Sequence, residues 1–235
     1  FGLSDPGAGP KGEILMTIIS PSILSLDFSQ LNSQMDAVNA SRAQWLHYDV
    51  MDGHFVPNLT FGPDILKAFR KLTDCELDVH LMIEHPNNNI HIFLNNLRKG
   101  DTVYIHPEAE YHPSTTLQKI IDAGMIPGIA INPGTSIETV YEMLRIVKKV
   151  LVMSVNPGNA GQMYLPYVGE KIERLLTMKN EMEIQVYWDG ACGEDKVRKY
   201  TPRGMDGFVL GTTLLFGKGR SYKELLAEIR RCAEG

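Results

Sequence analysis

The stretch WLHYDVMDGHFVP, residues 45–57, begins as an apolar strand and then places an imidazole and a carboxylate where a core would continue. Side chains alternate along a strand, so Trp45, His47, Asp49 and Met51 share one face and Leu46, Tyr48 and Val50 the other. A carboxylate taken out of water without a partner is costly, so such a group is paired, metal-bound or close to solvent. On this stretch alone, a His–Asp pair satisfied inside a core explains as much as a functional site does. Two further runs shift the balance. ELDVHLM, residues 76–82, groups Asp78, His80 and Met82, and IQVYWDG, residues 184–190, ends on Asp189 with Tyr187 on the same face. His47, Asp49, His80 and Asp189 therefore stand at three strand ends. Two imidazoles and two carboxylates converging there suit one divalent transition metal, Zn, Mn, Fe or Co, without choosing among them.

Such residues need a scaffold that brings strand ends together. Apolar, β-branched runs recur around Ile18, Leu46, Val79, Val103, Ile129, Val152, Val186 and Val209, each followed by a turn and a helical pattern. Eight β/α units match a single (β/α)8 TIM barrel better than an open doubly wound sheet, and such barrels carry their sites at the C-terminal strand ends. Asp27 and Gln30 read as a capping box before a helix over residues 28–40, and Ser136 as the cap of a helix over residues 137–149. Residues 167–182 and 222–234 also have helical spacing. Pro127 lacks a ladder donor and moves the expected start of the fifth strand to Gly128. Trp188 alternates away from Asp189 and is expected to pack outward against helices.

Of the 235 residues, 43% are hydrophobic and 22% charged, as in a globular domain, here assigned to residues 17–235. The Gly- and Pro-rich opening, residues 1–16, reads as a tag remnant or flexible extension. A net charge of -5 without a basic run argues against nucleic-acid binding. Cys75, Cys192 and Cys232 form no C-x-x-C pair and fit a reducing compartment, and no catalytic cysteine is implied. No apolar stretch approaches the roughly 20 residues of a membrane span, so a cytoplasmic location is expected. A homo-oligomer is left open. The triplets at Asn39 and Asn58 and the GKGR at 217–220 match glycosylation and phosphate-loop patterns only formally. His54, His85, His91, His106 and His112 have no comparably supported role; His106, at a strand end, either points into the mouth or, as is more often expected, is a satisfied structural residue.

The segments SPSIL (20–24), LHYDVMDGHFVPNLTFGP (46–63), LDVHLMIEHP (77–86), NPGTS (132–136), MSVNPGNAGQ (153–162), WDGAC (188–192) and LGTTLLFG (210–217) resemble, in order, the ribulose-phosphate 3-epimerase family. The resemblance runs from Thr17 over nearly the whole chain. It implies a metal-dependent isomerase of carbohydrate metabolism, in the pentose phosphate pathway, that inverts C3 of ribulose 5-phosphate to give xylulose 5-phosphate. Carried over by position, His47, Asp49, His80 and Asp189 become metal ligands, with Asp49 and Asp189 also the paired acid and base. Ser22 and His80 become substrate contacts, and Met51, Met82 and Met153 an apolar lining.

In the barrel context, backbone N–H groups near Gly190, Ala191, Gly211 and Thr212 are expected to hold the substrate phosphate at a helix N-terminus. The loop containing Gly158, Asn159, Ala160 and Gly161 is the expected lid. Asn159 stands where the family usually has an aromatic lid residue, so lid closure is expected to differ, and Ala160, Cys192 and HPE (106–108) resemble the related allulose 6-phosphate 3-epimerases. A six-carbon substrate is therefore the alternative. A non-catalytic sugar-phosphate-binding barrel is a more distant one, and a decarboxylase or aldolase would require a strand-end lysine that the sequence does not supply.

Overall fold

The eight apolar runs form eight parallel strands in the computed structural model, which describes residues 17–234; the expected tag or extension over residues 1–16 lies outside the described residues. The strands are β1 Ile18–Pro21, β2 Trp45–Met51, β3 Glu76–Met82, β4 Thr102–Ile105, β5 Ile126–Ile131, β6 Lys149–Met153, β7 Gln185–Asp189 and β8 Gly207–Leu210. Each is hydrogen-bonded to the next in sequence from β2 to β8, and β8 pairs with β1. A parallel bridge between Ser22 and His47 joins the end of β1 to β2 and closes the ring. Helices α1 Leu31–Ala40, α2 Pro63–Phe69, α3 Ile90–Leu94, α4 Pro113–Asp122, α5 Ile137–Val140, α6 Val168–Met182, α7 Glu194–Tyr200 and α8 Tyr222–Glu234 follow the strands in turn, giving a (β/α)8 TIM barrel. Among the described residues, no helix is long and apolar enough to cross a membrane.

Alternation divides the core in two. Leu46, Tyr48, Val50, Val79 and Leu81 join the layer between strands and helices, while Tyr104, Ala130, Leu151, Met153, Tyr187 and Val209 fill the barrel. Trp188 lies outside as expected, its ring 5.4 Å from Tyr164 and 5.1 Å from Tyr200. At the barrel floor, the first residue of β6, Lys149, is buried; its ammonium donates to Thr102 Oγ1 at 2.8 Å and stands 3.2 Å over the Trp45 ring. Burial lowers its pKa to about 8 despite the nearby carboxylates of Asp78 and Glu76.

Three local expectations need correction. Pro127 lies inside β5 opposite Val103, and its carbonyl accepts from Lys148 N at 3.0 Å; one missing donor is tolerated because the residue stands at the beginning of the strand. The helix expected over residues 137–149 is α5 followed by a 3-10 turn over Tyr141–Arg145, and the Ser136 hydroxyl makes no capping bond. Its C-terminal residue, Lys149, is claimed by β6, leaving too little chain for further helical turns. Asp27 accepts from Ser29 N at 3.0 Å and so caps a 3-10 turn over Phe28–Gln30, after which α1 begins.

Closure leaves no room at one glycine. A Cβ on Gly207, between β7 and β1, would stand 2.7 Å from both the Ile18 carbonyl oxygen and the Tyr187 ring. Gly207→Ala is expected to destabilise the barrel by about 1–3 kcal/mol, the usual scale of overpacking. A urea midpoint equal to that of the unsubstituted protein would refute this.

Candidate active site and metal cluster

The register of β2 and β3 sets His47 beside Asp78 and Asp49 beside His80. Because both strands alternate in phase, all four side chains point into the barrel. Asp189, the last residue of β7, approaches from the other side. His47 Nε2 is 3.1 Å from Asp49 Oδ1 and 3.6 Å from Asp189 Oδ2; His80 Nδ1 is 3.2 Å and 3.6 Å from the same two oxygens. These four donor atoms lie within 4.8 Å of one another. Metal bonds of about 2.0–2.2 Å place two donors on one ion at most roughly 4.4 Å apart, so only small adjustments separate this arrangement from a coordination shell. The donor set fits a divalent ion, and His47, Asp49, His80 and Asp189 could hold it.

The surroundings make the two carboxylates unlike. Ser22 Oγ donates to Asp49 Oδ2 at 2.9 Å, and no hydrogen bond reaches the Asp189 carboxylate among the described residues. Burial raises the pKa of Asp49, but the imidazoles of His47 and His80 more than offset it and leave the group well below the usual carboxylate range. For Asp189 burial prevails, reinforced by the negative charge of Asp49, and the pKa is raised. Burial pulls His47 down, yet Asp49 and Asp78 outweigh it and hold the imidazole well above its usual value. Behind the cluster, His47 Nδ1 is 3.2 Å from Asp78 Oδ1, which also accepts from Ser20 Oγ at 3.1 Å.

His106, expected to be merely structural, is buried against the cluster: its Nε2 is 2.8 Å from His80 Nε2 and its Nδ1 is 3.7 Å from Glu108 Oε2. The sequence signal was present, since His106 directly follows the fourth strand as His80 approaches the end of the third. Neither spacing nor composition shows that the two rings meet.

Above the cluster opens a cleft of about 650 Å³, counting its solvent-filled mouth. Ser22, Asp49, Met51, Met82, Met153, Gly158, Asn159, Ala160, Gly161, Asp189, Gly190, Ala191, Gly211 and Thr212 all line it, whereas His47 and His80 lie fully buried beneath. Sequence reading missed Leu24, Ser25, Val155, Gln162 and Thr213 on the same walls. Cys192 also lines the cleft, but burial pushes its thiol pKa up and away from thiolate chemistry.

The loop after β6 leans over the loop after β2. Asn58 Nδ2 donates to Gly158 O at 3.2 Å, and Gln162 ties the loop together through Asn156 O and Asn159 O at 2.6 and 2.9 Å. At Gly158, with φ 112°, a Cβ would stand 3.0 Å from Val56 Cβ, so this close approach requires glycine.

Across the cleft, Ala191 holds a positive φ of 42° after Gly190 at 90°. The amides of Ala191, Thr212 and Thr213 have no acceptor among the described residues. The expected helix N-terminus is only partly there. Leu215 N and Phe216 N bond back to Gly211 O at 3.1 and 3.3 Å, forming a single turn, and α8 begins only at Tyr222.

Closed barrel, C-terminal cleft and buried donor cluster define a (β/α)8 protein with an enzyme-type site able to hold a metal. The model of the ribulose-phosphate 3 epimerase family matches residues 18–215. A ribulose-phosphate 3-epimerase of Rhodobacter capsulatus is 40% identical over 92% of this chain and 95% of its own length. One from Bacillus subtilis is 36% identical, covering 92% and 99%, respectively. The chain belongs to the ribulose-phosphate 3-epimerase family. A thiamine phosphate pyrophosphorylase from Pyrococcus furiosus superposes with a TM-score of 0.61 at 17% identity, covering 93% of this chain and 96% of that one; this shows a shared fold alone.

A metal takes only the free lone pair of an imidazole, and His47 is held protonated above its usual pKa in the metal-free protein. Zinc uptake is therefore expected to expel protons, and affinity to fall with falling pH by about tenfold per unit for each proton displaced. Titration calorimetry in buffers of different ionisation enthalpy measures this; pH-independent uptake without proton release would contradict it.

Proposed function

We propose that the chain interconverts ribulose 5-phosphate and xylulose 5-phosphate by moving the C3 proton between Asp49 and Asp189. The observation that carries this is the convergence of the two carboxylates, Asp49 from β2 and Asp189 from β7, on the same two imidazoles at 3.1–3.6 Å in unlike surroundings: Ser22 donates to Asp49, and no hydrogen bond reaches the Asp189 carboxylate among the described residues. Divergent environments for paired carboxyls are the arrangement that acid–base exchange requires. Family membership supports the substrate, because the relatives carry that enzyme's name.

A C3–H beside a C2 ketone is a weak acid, and a divalent ion at the cluster would supply positive charge for the carbonyl oxygen as the proton leaves. Asp49 takes the proton from one face, while Ser22 holds the other oxygen of that carboxylate in place. Asp189, entering from β7, gives its proton to the opposite face of the planar enediolate, so that C3 inverts. In the reverse direction the two exchange roles. Met51, Met82 and Met153 supply the apolar lining that keeps water from the intermediate. The free amides of Ala191 and Thr212 receive the phosphate beside Gly190 and Gly211, and the Gly158–Gly161 loop covers it.

The six-carbon alternative gains no support from these relatives. A lysine-dependent aldolase gains no support either: among the described residues no lysine lines the cleft, and Lys149 is buried at the start of β6, at the end of the barrel opposite it.

In deuterated water, product should carry deuterium at C3, because the proton removed by one carboxylate is not the one returned by the other. Asp189→Asn, assayed with its metal content measured, should lower turnover by about 10²–10⁴-fold. Unlabelled product, or full turnover by metal-loaded Asp189→Asn, sinks the two-carboxylate mechanism.

Gly211→Val tests the phosphate wall separately. A Cβ there would stand 3.6 Å from Ser25 Oγ, an ordinary contact, so the added bulk fills the cleft without disturbing the barrel. KM should rise while metal content is unchanged. An unaltered KM removes Gly211 from the phosphate site.

A further inference from the structure

We infer that Glu108 sets which nitrogen of His80 carries its proton, acting through His106 as a two-ring relay. The inference rests on the reading of His80 as a metal ligand. His80 presents Nδ1 to the cluster, 3.2 Å from Asp49 Oδ1, and turns Nε2 toward His106. A ring offering its Nδ1 lone pair to an ion must keep its proton on Nε2. Across the 2.8 Å contact between the two Nε2 atoms only one can donate, so His106 Nε2 must accept. The His106 proton is thereby assigned to Nδ1, which is fully buried and has no hydrogen-bond partner in place; Glu108 Oε2, at 3.7 Å, is the acceptor that faces it, a small shift away from hydrogen-bond distance.

Glu108 is held in turn. Its Oε1 accepts from Asn132 N at 3.2 Å and from the Thr135 hydroxyl, so Oε2 is the oxygen left for His106. Each member of the chain therefore has a fixed donor or acceptor sense, from the loop after β5 to the metal-facing atom of His80. Glu108 and His106 are not among the four clustered donors and do not line the cleft, so they act as positioning residues.

The relay makes an unusual claim about an isosteric change. In Glu108→Gln, the carboxamide oxygen stays with the Asn132 amide, which can only donate, and the NH2 turns toward His106. His106 Nδ1 must then accept, its Nε2 must donate, and the His80 proton is driven onto Nδ1, where it blocks coordination. Glu108→Ala removes the acceptor without installing a donor. If Glu108 merely filled space, Gln would be the milder change.

Zinc ions are titrated into metal-free protein against a competing chelator. Glu108→Gln should bind zinc roughly 10–100-fold more weakly than the unsubstituted protein, the usual effect of altering a partner behind a metal ligand, and more weakly than Glu108→Ala. Wild-type zinc affinity in Glu108→Gln, or a smaller loss there than in Glu108→Ala, overturns the relay. Nitrogen-15 spectra of zinc-loaded, unsubstituted protein test it without any variant: His106 should carry its proton on Nδ1 and His80 on Nε2. A proton on His106 Nε2 with zinc bound overturns the relay and leaves the metal site standing. Failure of the unsubstituted protein to take up zinc overturns both.

Discussion

The attraction between two buried imidazoles and two buried carboxylates, at 3.1–3.6 Å, is the interaction around which the rest of the structure is arranged. Two carboxylates alone at the top of a barrel would repel each other in a medium that screens charge poorly. The imidazoles make their proximity tolerable, and a divalent ion fits the same four atoms. Strand alternation is the only covalent device that brings His47 and Asp49, two residues apart, onto one face, and the β2–β3 register then doubles the arrangement with Asp78 and His80.

Unequal surroundings set the two carboxylates of the cluster apart. Asp49 has a hydroxyl donor and two imidazoles at 3.1 and 3.2 Å, whereas Asp189 has the same imidazoles at 3.6 Å and no hydrogen-bond donor among the described residues. Buried polar side chains continue behind the cluster, with Asp78 and Ser20 beneath His47 and with His106 beside His80, and the exposed Glu108 faces His106 from the loop after β4. The barrel interior is thus polar toward its mouth, with Tyr104, Leu151 and Tyr187 providing bulk. The fold alone does not specify this chemistry. A pyrophosphorylase with a closely similar barrel shares only 17% of its residues with this chain.

The loops divide the remaining work. Those after β2 and β6 meet through Asn58 and Gly158 to cover one side of the cleft, while those after β7 and β8 present amides without an acceptor among the described residues on the other. Asn159 contributes its carbonyl to the Gln162 staple, so loop order here comes from one side chain donating to two backbone carbonyls.

The eight-strand rhythm, the inward pairs His47/Asp49 and Asp78/His80, the strand-end position of Asp189 and the outward turn of Trp188 were all legible in the sequence. Each follows from local alternation and from the length of chain between apolar runs. Contacts across the barrel were not legible in this way. That His106 meets His80 and Glu108 faces His106, or that Asp78 stands behind His47, depends on inter-strand register and on loop paths, which no short stretch encodes. Tertiary structure also overrode local signals: β6 ended the helix expected after Ser136, and the ladder of β5 admitted Pro127. Capping and strand propensities are worth about 1 kcal/mol each, less than the closure of a barrel can override. The sequence by itself thus determined which side chains enter the barrel, and only the closed barrel decided which of them touch, because contact across it is set by the packing of all eight strands together.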